Sequence, residues 1–150
     1  MSAAESVRAL IHRACLHLDR EEWDKFLALC APDFRYRVTA YSPELRRQMI
    51  WFDHDLASLK ALLEMVPQHL RRMGTLLRHV SVGAIEGEAA PFTVTSTFQC
   101  IHTDHEGRSH LLAAGRYSDV VTVQDGRTLL SSRETQLETR DLGIGSHVPI

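Results

Sequence analysis

The sequence is short of lysine, of paired cysteine and of long apolar runs, and each shortage closes off a class of protein. Lys25 and Lys60 are the only lysines among 17 Lys and Arg, and against 19 Asp and Glu the formal net charge is −2. No broad cationic field exists to hold a phosphate backbone, so nucleic acid is not an expected partner despite the local pairs Arg46-Arg47 and Arg71-Arg72. Cys15, Cys30 and Cys100 are odd in number, lie far apart and include no C-x-x-C pair, which argues against a disulfide framework and against a zinc ribbon. The stretch Met1-Ser2-Ala3-Ala4-Glu5 lacks the cationic start and apolar run of a signal peptide, and no later segment reaches membrane-spanning length. The expectation is a soluble protein of the reducing cytoplasm.

What the chain does have is enough apolar residue for one core. At 150 residues and 44% hydrophobic it is too short for two ordinary domains, and a single domain over residues 1–150 is expected. Three consecutive long strands are predicted at Phe92 to His102, His110 to Val123 and Arg127 to Arg140. The first alternates strictly, with Phe92, Val94, Phe98 and Cys100 on one side and Thr93, Thr95, Thr97 and Gln99 on the other, so one face is buried. Gly107 in the first connection and Asp125-Gly126 in the second supply tight turns, which makes this part of the sheet antiparallel.

The first half reads as helical. Val7, Leu10, Ile11, Ala14, Cys15 and Leu18 form one apolar stripe. Asp19 then caps a short second helix, with Glu22 as capping-box partner, Trp23, Phe26, Leu27 and Cys30 inward, and Pro32 as its stop. A short strand follows at Phe34, Tyr36 and Val38, then a loop containing Tyr41-Ser42-Pro43. A helix from Asp55 to Met73, kinked at Pro67, precedes a further strand at Leu77 to Ala84. This order predicts an α+β fold, helices packed on a strongly curved, mostly antiparallel sheet. Residues 143–150, rich in Gly and ending Pro149-Ile150, form a tail that is either loose or ordered against a partner.

The element order resembles the cone-shaped fold shared by nuclear transport factor 2, ketosteroid isomerase and scytalone dehydratase, the SnoaL-like or cystatin-like group. Within that group a more specific set of residues stands in order along the chain: Trp23 and Phe26-Leu27 before Asp33-Phe34-Arg35-Tyr36, then Leu77 to Val82 and Thr95-Ser96-Thr97-Phe98. Ala114-Gly115-Arg116-Tyr117-Ser118-Asp119 and Leu137-Glu138-Thr139-Arg140 complete the set. On these residues the chain resembles the small, or beta, subunit of aromatic-ring-hydroxylating dioxygenases and related Rieske-type oxygenases. Thr97 stands where the family has Asn, and Tyr117 where a second Arg commonly follows Gly-Arg. The ending from Thr139 to His147 is similar to the methanesulfonate monooxygenase branch. The resemblance implies a noncatalytic subunit supporting a large alpha subunit, which would carry the Rieske iron-sulfur cluster and the mononuclear iron, with trimers around a symmetry axis.

A Rieske centre takes two Cys and two His from paired C-x-H and C-x-x-H motifs, and the second motif is absent, so neither that cluster nor another metal or cofactor is expected here. His12 and His17 lie about 140° apart on a helix and diverge. Asp53-His54-Asp55 is not expected to bind metal, because Asp55 serves better as a helix cap. His102, His105 and His110 read as exposed histidines around a turn. The catalytic alternative is a lyase or isomerase, such as a dehydratase, in which His79 and Asp33 exchange protons and Tyr36, joined by Tyr117, polarises a carbonyl or assists a leaving group. Their bland reading is structural: a turn carboxylate, packed tyrosines and a hydrogen-bonded histidine. A third reading is a ligand-binding module with an inert pocket. For the subunit reading the interface candidates are Arg78, Arg116 and Asp119, with Arg116 beside Asp119 preferred because guanidinium groups pair bidentately with carboxylates across interfaces.

Overall fold

The computed structural model describes residues 1–66, 74–142 and 149–150. Helix α1 (Ala3–Asp19) opens on a capping box: Glu5 N–H donates to Ser2 Oγ at 3.2 Å, and Ser2 N–H donates to Glu5 Oε2 at 2.6 Å. Its predicted stripe, Val7, Leu10, Ile11, Ala14, Cys15 and Leu18, is buried throughout. Helix α2 (Trp23–Leu27) is a single turn anchored by Phe26, whose ring meets Phe34 edge-on at 6.3 Å. Asp19 does not cap it. The N-cap is Glu22, whose carboxylate goes sideways to His17 at 3.1 Å and to Lys25 at 2.5 Å, while Asp19 turns inward.

Pro32 does not end a helix either. Strand β1 (Cys30–Ser42) already contains it and runs on for 13 residues, longer than the short strand expected. The expected loop then gives way to a second strand, β2 (Arg47–Asp55), antiparallel to β1. Two features hid it. The turn between the strands uses Arg46 at φ 52° rather than a glycine, and β2 lies at the sheet edge, where Met49-Ile50-Trp51-Phe52 shows no alternation. Helix α3 (Leu56–Met65) is capped by Asp55, which accepts from Ser58 N–H at 2.8 Å, as the sequence predicts. The expected continuation to Met73 with its kink at Pro67 lies outside the described residues.

β3 (Thr75–Glu86), β4 (Phe92–Thr103), β5 (Ser109–Gln124) and β6 (Arg127–Leu137) complete one open six-stranded sheet in the order β2-β1-β6-β5-β4-β3. Every pairing is antiparallel except β1 with β6, where the amino-terminal half joins the meander. Register shifts at Val38/Thr39, Val82/Ala84, Cys100/Ile101 and Val120/Val121 bend the long strands, and the helices pack into the resulting hollow. Alternation along β4 is kept, with Phe92, Val94, Ser96, Phe98 and Cys100 inward. Among the described residues no helix is long and apolar enough to cross a membrane.

Candidate functional site

The hollow of the sheet is lined by charge as well as hydrocarbon. Asp119 on β5 and Arg133 on β6 occupy paired positions, and both side chains are completely buried. Arg133 Nε donates to Asp119 Oδ1 at 2.8 Å and Nη2 donates to Oδ2 at 2.9 Å, the bidentate geometry that best offsets desolvation. Burial alone would lower the Arg133 pKa, but the Asp119 carboxylate outweighs it and holds the guanidinium charged. That guanidinium also lies 4.0 Å from the centre of the Tyr117 ring, which stacks on Phe98 at 4.3 Å. Tyr117 thus sits between the Arg133 guanidinium and the Phe98 ring.

A second pair stands beside the first. Asp19, from the end of α1, accepts from the Arg78 backbone N–H at 3.0 Å and from Arg78 Nη1 at 2.8 Å, tying the helix to β3. Arg78 Nη2 donates to the carbonyl of Pro149. Ile150 N–H donates to the Tyr36 hydroxyl at 3.0 Å, and Thr135 Oγ1 donates to the Ile150 carbonyl at 3.4 Å. Burial pushes the phenols of Tyr36 and Tyr117 above their ordinary value, so both remain protonated donors or acceptors. Residues 143–148 of the predicted tail lie outside the described residues, but Pro149 and Ile150 are buried inside this chain.

The proposed catalytic quartet does not assemble. Tyr36 and Tyr117 face the hollow, 2% and 0% exposed. Asp33 and His79 are exposed, and His79 points to the outer face because Arg78, its neighbour on β3, points inward. The same alternation separates the interface candidates. Arg116 is on the outer face, where it reaches Glu138 at 3.1 Å, while Asp119, three positions on, is inside with Arg133. Arg78 is likewise buried, leaving Arg116 as the exposed member of the three. His79, Ser81, Thr97, Gln99, Arg116 and Glu138 border a depression of about 420 Å³ on that outer face.

Metal donors are scattered too. Cys15-Leu16-His17 and Cys100-Ile101-His102 both have C-x-H spacing, but Cys15 points inward from α1 while His17 turns to Glu22. His102 is 3% exposed, unlike the surface histidine expected, and meets His110 across the β4–β5 hairpin with ring centres 5.0 Å apart. Asp53 pairs with Arg35 and with Arg37, Asp55 caps α3, and His54 meets Ser58 at 3.1 Å. Among the described residues no three His, Cys, Asp or Glu side chains are grouped to hold a metal ion.

The Arg133–Asp119 pair and the seated Ile150 were the features that sequence reasoning missed. The pair had a signal: Asp119 shares its side of β5 with Tyr117 and Val121, and Arg133 shares its side of β6 with Thr135 and Leu137. A charge at an inward position needs a partner, and each of these is the other's. Nothing local marked Ile150.

A family model described as the SnoaL-like domain matches residues 1–134. The beta subunit of the methanesulfonate monooxygenase hydroxylase of Methylosulfonomonas methylovora is 36% identical, over 99% of this chain and 87% of its own length. The beta subunit of 2-aminobenzenesulfonate 2,3-dioxygenase from an Alcaligenes species is 35% identical, over 89% of each chain. In fold, the beta subunit of benzoate 1,2-dioxygenase from Burkholderia mallei superposes with a TM-score of 0.72 at 13% identity, covering 98% of this chain and 97% of that one. The chain belongs to the SnoaL-like domain family and, within it, to the beta subunits of ring-hydroxylating-type oxygenases.

Proposed function

We propose that this chain is the structural small subunit of a multicomponent Rieske-type oxygenase, supporting a larger subunit that does the chemistry. The observation that carries the reading is the match to an oxygenase beta subunit along nearly the whole chain. The geometry supports it: the side chains a lyase or isomerase would need are split between the two faces of the sheet, and the hollow is braced by one fully buried and one partly buried ion pair. In this reading the Rieske cluster and the mononuclear iron belong to the partner, the subunits assemble as trimers around an axis in the cytoplasm, and Arg116 is a contact residue.

The test is isolation of the native protein under mild conditions, with complex mass, co-purifying chains and iron content measured together. A stoichiometric complex with a larger iron-sulfur chain is expected. An iron-free homo-oligomer with no larger partner would overturn the reading.

A further inference from the structure

The hollow offers more hydrogen-bond donors than its own side chains use. Arg78 Nε, Arg133 Nη1, Tyr117 Oη and Ser96 Oγ are buried with no hydrogen-bond partner among the described residues, on residues at most 6% exposed. They belong to one cluster: Ser96 pairs with Tyr117 and Tyr117 with Thr135 across the strands, Arg133 pairs with Tyr36, and both arginines act electrostatically on both phenols. Two arginines against Asp19 and Asp119 leave the cluster neutral in sum, while its spare capacity consists of N–H groups and hydroxyls. Such a lining is matched by a group with acceptor oxygens.

The chain itself shows how such a group is held. The Pro149 carbonyl accepts from Arg78, the Ile150 carbonyl accepts from Thr135, and the Ile150 N–H donates to Tyr36. The Ile150 residue is 2% exposed and belongs to the apolar core. These are the elements of a ligand site: two acceptor positions, one donor position and an apolar seat.

We propose that the interior of the cone is a binding site for a small molecule with a carboxylate or amide carbonyl at one end and a branched apolar body at the other, and that Pro149 and Ile150 occupy it as an internal ligand. Binding in trans then competes with the chain's own last described residues. The proposal is independent of the oxygenase partner, since every group it uses belongs to this chain.

The test compares the full chain with a variant ending at Val148 and with full-length Ile150→Asp, whose charged side chain does not suit the apolar seat. Calorimetric titration uses N-acetyl-Pro-Ile as the acid and as its carboxamide, with folding checked by circular dichroism. Both variants are expected to bind at least tenfold more tightly than the full chain, and the better of the two probes distinguishes carboxylate from amide recognition. Adding Tyr36→Phe, which removes the acceptor for the Ile150 N–H, should weaken that binding roughly two- to tenfold. Equal binding to all chains, or none to a folded variant, overturns the proposal. If neither variant folds, Pro149 and Ile150 are core rather than ligand, and the proposal fails equally.

Discussion

Replacing Asp119 by Asn tests the logic of the interior directly. The change keeps shape and removes one charge, leaving the Arg133 guanidinium buried at 0% side-chain exposure without its counter-ion. Breaking a buried pair from one side costs about 3–5 kcal/mol, a large part of the roughly 5–15 kcal/mol that holds a typical domain together. For a chain of this size that corresponds to a fall in Tm of roughly 10 °C. Both hydrogen bonds are short and well aligned, at 2.8 and 2.9 Å, so the upper part of the range is expected. Urea unfolding followed by circular dichroism is the assay, with an unchanged m value confirming that the denatured state is the same. Replacing both partners, Asp119→Leu with Arg133→Met, should recover most of the loss, because no charge then stays buried. An Asp119→Asn variant that loses less than about 1 kcal/mol would refute the argument.

Stability should also fall in alkali. Burial raises the thiols of Cys15, Cys30 and Cys100 above 9.0 and the phenols of Tyr36 and Tyr117 above 10.0, so the folded state keeps protons that the unfolded chain has released. Their contribution is fully present below pH 9 and is lost as pH rises toward the folded values. Cys30, pushed up to about 12, loses about 1.4 kcal/mol per pH unit across that window, and Cys30→Ala should flatten the slope of urea midpoints between pH 9 and 10.5 accordingly. Gly115→Ala should cost about 1–3 kcal/mol by the same assay, since its Cβ would stand 2.2 Å from the Gln136 carbonyl oxygen and force β5 from β6; Gly83→Ala, facing Thr95 O at 3.3 Å, should cost less. Arg116→Glu and His79→Ala, both on the outer face, should leave the melt of the isolated chain within about 0.5 kcal/mol. Arg116→Glu should reduce recovery of the larger chain in a pull-down, and undiminished recovery would remove Arg116 from the contact.

The pattern of residues determined the elements whose burial is local in sequence. The α1 stripe, the alternation of β4 and the Asp55 cap depend on periods of 3.6 or 2 and on a side chain three residues from its acceptor, and each appears where the period places it. The family was legible for a related reason: the shared residues keep their order along the chain. Edge strand β2 was not legible, because an edge needs no alternation and its turn needed no glycine. Asp19 read as a cap, since a carboxylate before a helix satisfies free N–H groups locally. Only folding brought Arg78, 59 residues away, within 2.8 Å and gave it a stronger partner. The same holds for the site as a whole. Alternation along a strand says that neighbours point apart, but not which face closes over the hollow. Curvature of the sheet decided that Tyr36 and Tyr117 look in while His79 looks out, that Arg133 meets Asp119, and that Ile150, 114 residues from Tyr36, seats beside it.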